Sequence, residues 1–230
     1  MMIRTVIATL SMGLAIAGTA GAWGLPSIPG LPTIPGLSSG SSSSGDPDAF
    51  LAKAKRAEAL IDKSADSLFN AVASKEEQAK MEEMQKKLNE TTDDKEKNAL
   101  RQQITESEMA TIEKRAQDKE LQEEAKNWDE KKKKLVATAF YNFSLGALQA
   151  GLLVPEGTSL ATGIASNPYK AVTLAFKIKS VWESIKTIKG ILGGTVNVIS
   201  NLKTLMSAAN INVKAPSSAT ETPKDASAEI

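Results

Sequence analysis

Apolar residues recur every three or four positions over most of this chain, the period of a helix buried along one side. Phe50, Ala54, Ala57, Ile61, Ser64, Leu68 and Ala71 alternate in steps of four and three, with Leu51, Leu60 and Val72 widening the stripe. That spacing is a coiled-coil seam. The stripe thins to Met81, Met84 and Leu88, then returns sparsely at Leu100, Ile104, Met109, Ile112, Leu121 and Ala125. It is cleanest near the end: Ala171, Leu174, Ile178, Val181, Ile185, Ile188, Leu192, Thr195, Ile199, Leu202, Met206 and Ala209, with Thr195 the one polar member. The lysines at 177, 179, 186, 189 and 203 lie off this seam.

Start and stop signals divide the pattern into elements. Asp46-Pro47 predicts a helix start, a capping side chain followed by Pro at the first helical position. From Asp48 to Leu145 there are 98 residues without Gly or Pro, rich in Ala, Glu, Lys, Gln and Leu. These are strong helix formers, and a β-domain would need turn residues that this stretch lacks. Thr91-Thr92-Asp93-Asp94 predicts a turn, because short polar side chains compete with the helical backbone and cap a new start. The second helix then reaches about Trp128, giving a charged hairpin in preference to a single rod of roughly 130 Å.

Leu135–Val154 carries no charge and follows Lys131–Lys134. Its length suits a membrane span, but Thr138, Tyr141, Asn142, Ser144 and Gln149 interrupt it, and the centre of a bundle asks for the same composition. Pro155-Glu156-Gly157-Thr158 predicts the end of this helix, and Ser159–Ser166 a short helix or loop. Asn167-Pro168 predicts the start of the last helix, and Gly190, Gly193 and Gly194 a kink or break within it.

The ends differ from this helical body. An apolar stretch from Val6 to Ala17 behind Arg4, followed by Ala20-Gly21-Ala22, predicts a secretory signal cleaved between Ala22 and Trp23. Residues 24–37 repeat Gly-Leu-Pro-Ser/Thr-Ile-Pro, which predicts an extended polyproline II segment, either a spacer or a docking peptide. Ser38–Gly45 is a flexible linker by composition, and the Pro-punctuated tail from Lys214 onward is expected to be disordered.

Charge and missing residue types narrow the chemistry. Residues 46–134 hold 19 basic and 22 acidic side chains, whereas residues 135–214 hold seven lysines against Glu156 and Glu183. Interleaved signs build no phosphate-binding field, so nucleic acid is not expected as a partner. The chain has no Cys and no His. That removes disulfides, thiol and imidazole catalysis and the usual zinc sites. Gly190-Ile-Leu-Gly-Gly194 lacks the Lys of a phosphate loop, and the pairs Glu76-Glu77, Glu82-Glu83 and Glu123-Glu124 lie in polar stretches with nothing to raise a pKa. No catalytic residue, metal, cofactor or small-molecule substrate is inferred, and the chain is not read as an enzyme.

The expected architecture is all-α: an elongated bundle of coiled-coil-like helices with disordered N- and C-terminal segments. Its parts are a signal peptide at 1–22, the repeat and linker at 23–45, the charged hairpin at 46–134, apolar helices completing the bundle at 135–213 and a tail at 214–230. The expected function is that of an exported structural or protein-interaction module, in the periplasm or outside the cell, with a bacterial envelope as its setting. Its seam of Ile178, Val181, Ile185, Ile188, Leu192, Ile199 and Leu202 would serve as core or meet a protein partner or a second copy. The alternative is a membrane-active protein that inserts residues 135–165, with Leu135, Phe140, Leu145, Leu148 and Leu152 entering lipid.

Overall fold

The computed structural model describes residues 45–225, and the expected cleavage site at Ala22–Trp23, the repeat, the linker through Ser44 and residues 226–230 lie outside them. The described chain is all-helical: α1 (Pro47–Val72), α2 (Lys75–Glu90), α3 (Asp94–Ala116), α4 (Lys119–Ala125), α5 (Glu130–Ala165), α6 (Pro168–Thr173) and α7 (Ala175–Ala208). Six of the seven begin on an Asp, Ser or Asn that accepts a hydrogen bond from a first-turn amide, and α7 follows α6 across Leu174 alone. Such a cap satisfies amides that the helix itself leaves free.

Side-chain pairings fix the directions. Phe50 meets Gly157 and Ile61 meets Gly146, so α1 and α5 run antiparallel. Thr105 bonds Asp62 and Arg115 bonds the Val72 carbonyl, so α3 runs parallel to α1. Gly190 faces Gln102 and Gly194 faces Met109, which makes α7 parallel to α3. The helix α2 is the return stroke between α1 and α3, turning at Thr91–Asp93 where the sequence places a turn. The α1 and α7 helices touch each other and hold α3 on one flank and α5 on the other. One hydrophobic core runs through all four. Phe50, Phe69, Phe140 and Phe143 are fully buried in it. Each contributes roughly 1.5–3 kcal/mol by leaving water.

Small residues bring α1 and α5 together. Ala54, Ala57 and Ala65 are completely buried on α1. On α5 a Cβ at Gly146 would stand 2.8 Å from Ile61 Cγ1, and one at Gly157 would stand 2.5 Å from Phe50 Cζ and 2.9 Å from Ile185 Cγ1. This contact corrects the expected break at Pro155. The helix α5 continues through that proline to Ala165, losing one backbone bond. Gly157 locked against Phe50 and Ile185, and the 2.8 Å ion pair of Lys53 with Glu156, hold the next turn in helical register.

Other expectations are corrected by local chemistry. The first helix is interrupted at Ala73-Ser74, where Ser74 and Glu77 form a reciprocal capping box. The second is interrupted at Gln117-Asp118, where Asp118 caps α4. The expected break at Gly190–Gly194 is absent: α7 is continuous, and Gly190 and Gly194 face α3, with Met109 Cε only 3.2 Å from a Cβ at Gly194, while Gly193 faces open space. Val181, Ile185, Ile188, Thr195, Leu202 and Met206 are buried where the heptad places them, but at two steps the deep position falls one residue earlier, with Ile191 and Val198 buried and Leu192 and Ile199 flanking them half-buried.

The tail is irregular, in keeping with its composition, and through Asp225 it forms no helix or strand. Parts of it still touch α5, with Ala219 and Pro223 buried while Lys214, Ser217, Thr220, Thr222 and Lys224 stay exposed. Asn210, at φ 56°, takes the left-handed position that ends α7, and Ile211 N–H bonds the Met206 carbonyl at 2.8 Å. This reversal delivers Val213 to a small cluster with Leu60, Tyr141 and Leu145. Glu221 accepts bonds from the Tyr141 hydroxyl at 2.6 Å and from the Ser217 and Ser218 amides at 2.6 and 2.9 Å. Asn142 donates to the Lys224 carbonyl and accepts from its amide, both at 2.8 Å, and Gln149 donates to the Ala219 carbonyl at 3.0 Å. Lys224 also lies 4.2 Å over the Tyr141 ring.

Two stability predictions follow from this packing. Ile185→Ala should cost roughly 2–5 kcal/mol in chemical denaturation while the neighbouring Lys186→Ala changes little, since Ile185 is 2% exposed and Lys186 is on the outer face. Gly157→Ala should cost about 1–3 kcal/mol by forcing α1 away. Gly163→Ala, with nothing within 4 Å of its Cβ, should instead stabilise by roughly 0.5–1 kcal/mol. Equal melting temperatures for the two glycine variants would show that α1 does not depend on the gap at Gly157.

Candidate functional site

The residues singled out from sequence go to different places. Val181, Ile185, Ile188 and Leu202 are buried in the core, and Ile178, Leu192 and Ile199 pack at its margin. The seam is therefore occupied by this chain's own helices. Of the residues proposed to enter lipid, Phe140 and Leu145 are buried, whereas Leu135, Leu148 and Leu152 are half-buried. By length and composition α5 could cross a membrane, yet 67% of its most apolar 18-residue window is buried within the protein. Three of the polar side chains that interrupt its uncharged run have partners in the tail, Tyr141, Asn142 and Gln149 all bonding residues 219–224, whereas the Ser144 hydroxyl is buried without a hydrogen-bond partner among the described residues. The lysines ahead of it are engaged as well, with Lys132 lying 4.5 Å over the Trp128 ring and Lys133 pairing with Glu130 at 3.2 Å.

Titratable chemistry sits elsewhere, between α1 and α3. Glu58, Asp62 and Asp66 step by four along α1, beside the apolar seam, and Glu108 on α3 is only 2% exposed. Burial pushes the Glu108 carboxyl up to about 8, and the Asp66 and Asp62 charges add to the rise. Burial likewise lifts Glu58 to about 7, helped by Asp62 and opposed by Lys55. Asp62 and Asp66 are also raised by burial, against the bonds they accept from Thr105 at 2.9 Å and Asn70 at 3.1 Å. Burial thus holds all four carboxyls above their ordinary values, and Glu58 and Glu108 are the two carried to neutrality or beyond. Among the described residues no group of three acidic side chains is arranged to hold a metal ion. A shallow depression on α3, lined by Glu96, Leu100 and Gln103, belongs to the opposite, solvent-facing side of that helix. Glu108 is thus enclosed between the helices, while Glu58, Asp62 and Asp66 are half-buried along the edge of the contact. Sequence reasoning passed over them, although Glu108 stands on the apolar stripe between Ile104 and Ile112, the one signal that marks it.

The second unusual surface is apolar and open. Tyr169, Val172 and Phe176 are 79%, 81% and 82% exposed, and α6 buries no residue at all. Together they form a corner at the end of the bundle where α5 finishes and α7 begins. Trp182, 43% exposed, lies farther along α7. Large exposed apolar side chains grouped in this way are characteristic of contact surfaces. The heptad reading placed Ala171 and Leu174 in the seam, and only the fold shows that their neighbours are uncovered. Comparison with protein-family models, with curated proteins and with solved structures found no match, so the functional argument rests on this geometry.

The buried carboxyls make stability depend on pH in an unusual direction. Glu108 and Glu58 bind protons in the folded state up to about pH 8 and 7, whereas their ordinary value is 4.5. Between those limits the folded state holds more protons, so their contribution falls as pH rises, and it is unchanged below about 4.5. Urea denaturation of the wild type should therefore show a loss of stability from pH 5 to pH 9. Glu108→Gln, which keeps the shape without the charge, should flatten the profile and be the more stable form at pH 9. A wild type and variant with parallel profiles would mean that Glu108 is ionised in the fold.

Proposed function

We propose that this protein is an exported, non-enzymatic helical interaction module whose contact surface is the corner formed by Tyr169, Val172 and Phe176. The observation that carries the reading is the exposure of these three large side chains at one end of a bundle whose other long stripes are covered. The setting is the periplasm or the extracellular space, on the strength of the signal pattern before Trp23. The fold is made for rigidity: one core, helices with side-chain caps and a strapped tail. Reaction chemistry finds little support, because Glu108, the most perturbed carboxyl, is only 2% exposed.

The membrane-active alternative loses ground in this reading. Phe140, Phe143 and Leu145 form part of the bundle centre, and inserting α5 would strip α1 of its main partner. At micromolar concentration the protein should release no dye from lipid vesicles. Release by the wild type that a folded Leu145→Asp variant lacks would favour insertion instead. A photoreactive residue at position 172 should give covalent adducts with another protein in the cells that make this chain, while one at exposed Lys203 should not. Equal labelling at the two positions would remove the corner as the contact surface. Material that retains Met1 at its N-terminus would contradict the exported form beginning at Trp23.

A further inference from the structure

The exposed corner stands beside the point where the N-terminal part of the chain joins the bundle. Lys177, one residue after Phe176, bonds the Asp48 carboxylate in the first turn of α1, and the Asp46 charge also acts on it. Whatever precedes Gly45 therefore leaves the bundle next to Tyr169, Val172 and Phe176. Directly upstream is the Ser/Gly linker of residues 38–45, eight residues long. Such a linker has a root-mean-square span of about 15 Å and a limit of about 28 Å, enough to reach the corner and reverse on it.

The segment that this linker tethers has the chemistry the corner lacks. Leu25, Ile28, Leu31, Ile34 and Leu37 recur at every third position, and each of the first four is followed by Pro. A polyproline II helix has three residues per turn and rises about 9 Å per turn, so all five would lie along one edge. Tyr169 and Val172 lie one turn apart on α6, and Phe176 opens α7 just beyond the break at Leu174. Aromatic surfaces bind proline-rich segments of this kind because the extended form loses little entropy on docking. No residue from Trp23 to Gly45 is charged, so docking of this segment would rest on apolar contact alone, beside the exposed Lys170.

We infer that the Leu-Pro/Ile-Pro repeat at residues 24–37 docks in cis on the Tyr169–Val172–Phe176 corner and covers it until a partner displaces it. The inference rests on the corner being a contact surface and names its resident occupant. A short flexible tether supplies an effective concentration on the order of millimolar, so even weak docking keeps the corner largely covered.

The test uses the chain from Trp23 to Ile230, a Tyr169→Ser/Phe176→Ser variant and a Leu25→Ser/Ile28→Ser/Leu31→Ser/Ile34→Ser variant. All substituted side chains on the bundle are exposed, so circular dichroism and melting temperature should be unchanged. A proline-specific endoprotease, which cuts after Pro26, Pro29, Pro32 and Pro35, should cut the wild-type repeat about tenfold more slowly than the same repeat in the Tyr169/Phe176 variant. Hydrogen exchange over residues 168–176 should be faster in the repeat variant than in the wild type. Both differences should persist unchanged when the protein is diluted a hundredfold.

Equal cleavage of wild type and corner variant overturns the inference. Protection that fades on dilution assigns the corner to the repeat of a second copy, and overturns docking in cis. Vesicles of anionic lipid that bind wild type and repeat variant equally, and lose the corner variant, assign it to a membrane surface. If cleavage is equal but position 172 still forms adducts with another protein, only the occupant is wrong. If neither occurs, the proposed contact surface falls with it.

Discussion

The bundle depends on how closely α1 can approach α5. Gly146 and Gly157 lie eleven residues apart, three helical turns on the same side of α5, and each meets an α1 side chain at a distance no Cβ would permit. Buried alanines on α1 answer them. Because dispersion contacts fall off steeply with separation, this short spacing lets Phe50 and Ile61 fill space that would otherwise be void. The same contact sets the position of α7, since Ile185 shares the Gly157 site with Phe50. It also holds α5 helical past Pro155. Three helices thus take their spacing from one small-residue contact, and α3 is placed afterwards against α1 and α7.

The α1 helix has a second, less comfortable side. While its Ala-rich stripe is dry, the neighbouring line of Glu58, Asp62 and Asp66 packs toward α3 and meets Glu108. Carboxyls in such a place act against stability when ionised, and apolar residues of similar volume would hold the two helices more firmly. They do give the α1–α3 contact a register, because Asp62 accepts from Thr105 and no shift by a turn would preserve that bond. The pairing of a rigid α1–α5 contact with a softer α1–α3 contact suggests where the molecule opens first: α2 and α3, on the charged flank.

Much of this was legible in the sequence, and the failures have a common cause. Helical class, the Asp46-Pro47 start, the Thr91–Asp93 turn and the Asn167-Pro168 start were carried by local chemistry acting within four residues. The capping box of Ser74 and Glu77 was equally local and went unread, because the seam through Leu68, Ala71 and Val72 seemed to run on. Pro155 and the glycines at 190–194 misled for the opposite reason. Their intrinsic preference is to break a helix, and tertiary contacts with Phe50, Ile185 and Met109 overrode it. The open corner was out of reach from pattern alone, since Tyr169, Val172 and Phe176 have the spacing of buried residues. The irregular form of the tail was legible in its composition, but nothing within residues 214–225 reveals that Tyr141, Asn142 and Gln149 bond it.

That last pairing bears on the order in which the molecule is made. A polypeptide emerges from its N-terminus, so α5 exists for the time of synthesis of some sixty further residues before Ala219, Glu221 and Lys224 appear. During that interval its hydroxyl and amides at 141, 142 and 149 must be met by water. Their polarity has a second effect then, for it makes a twenty-residue uncharged segment a poor occupant of a bilayer while its partners are still absent. The groups that fasten the finished protein are thus the ones that keep its most apolar helix compatible with water until residues 219–224 have been made.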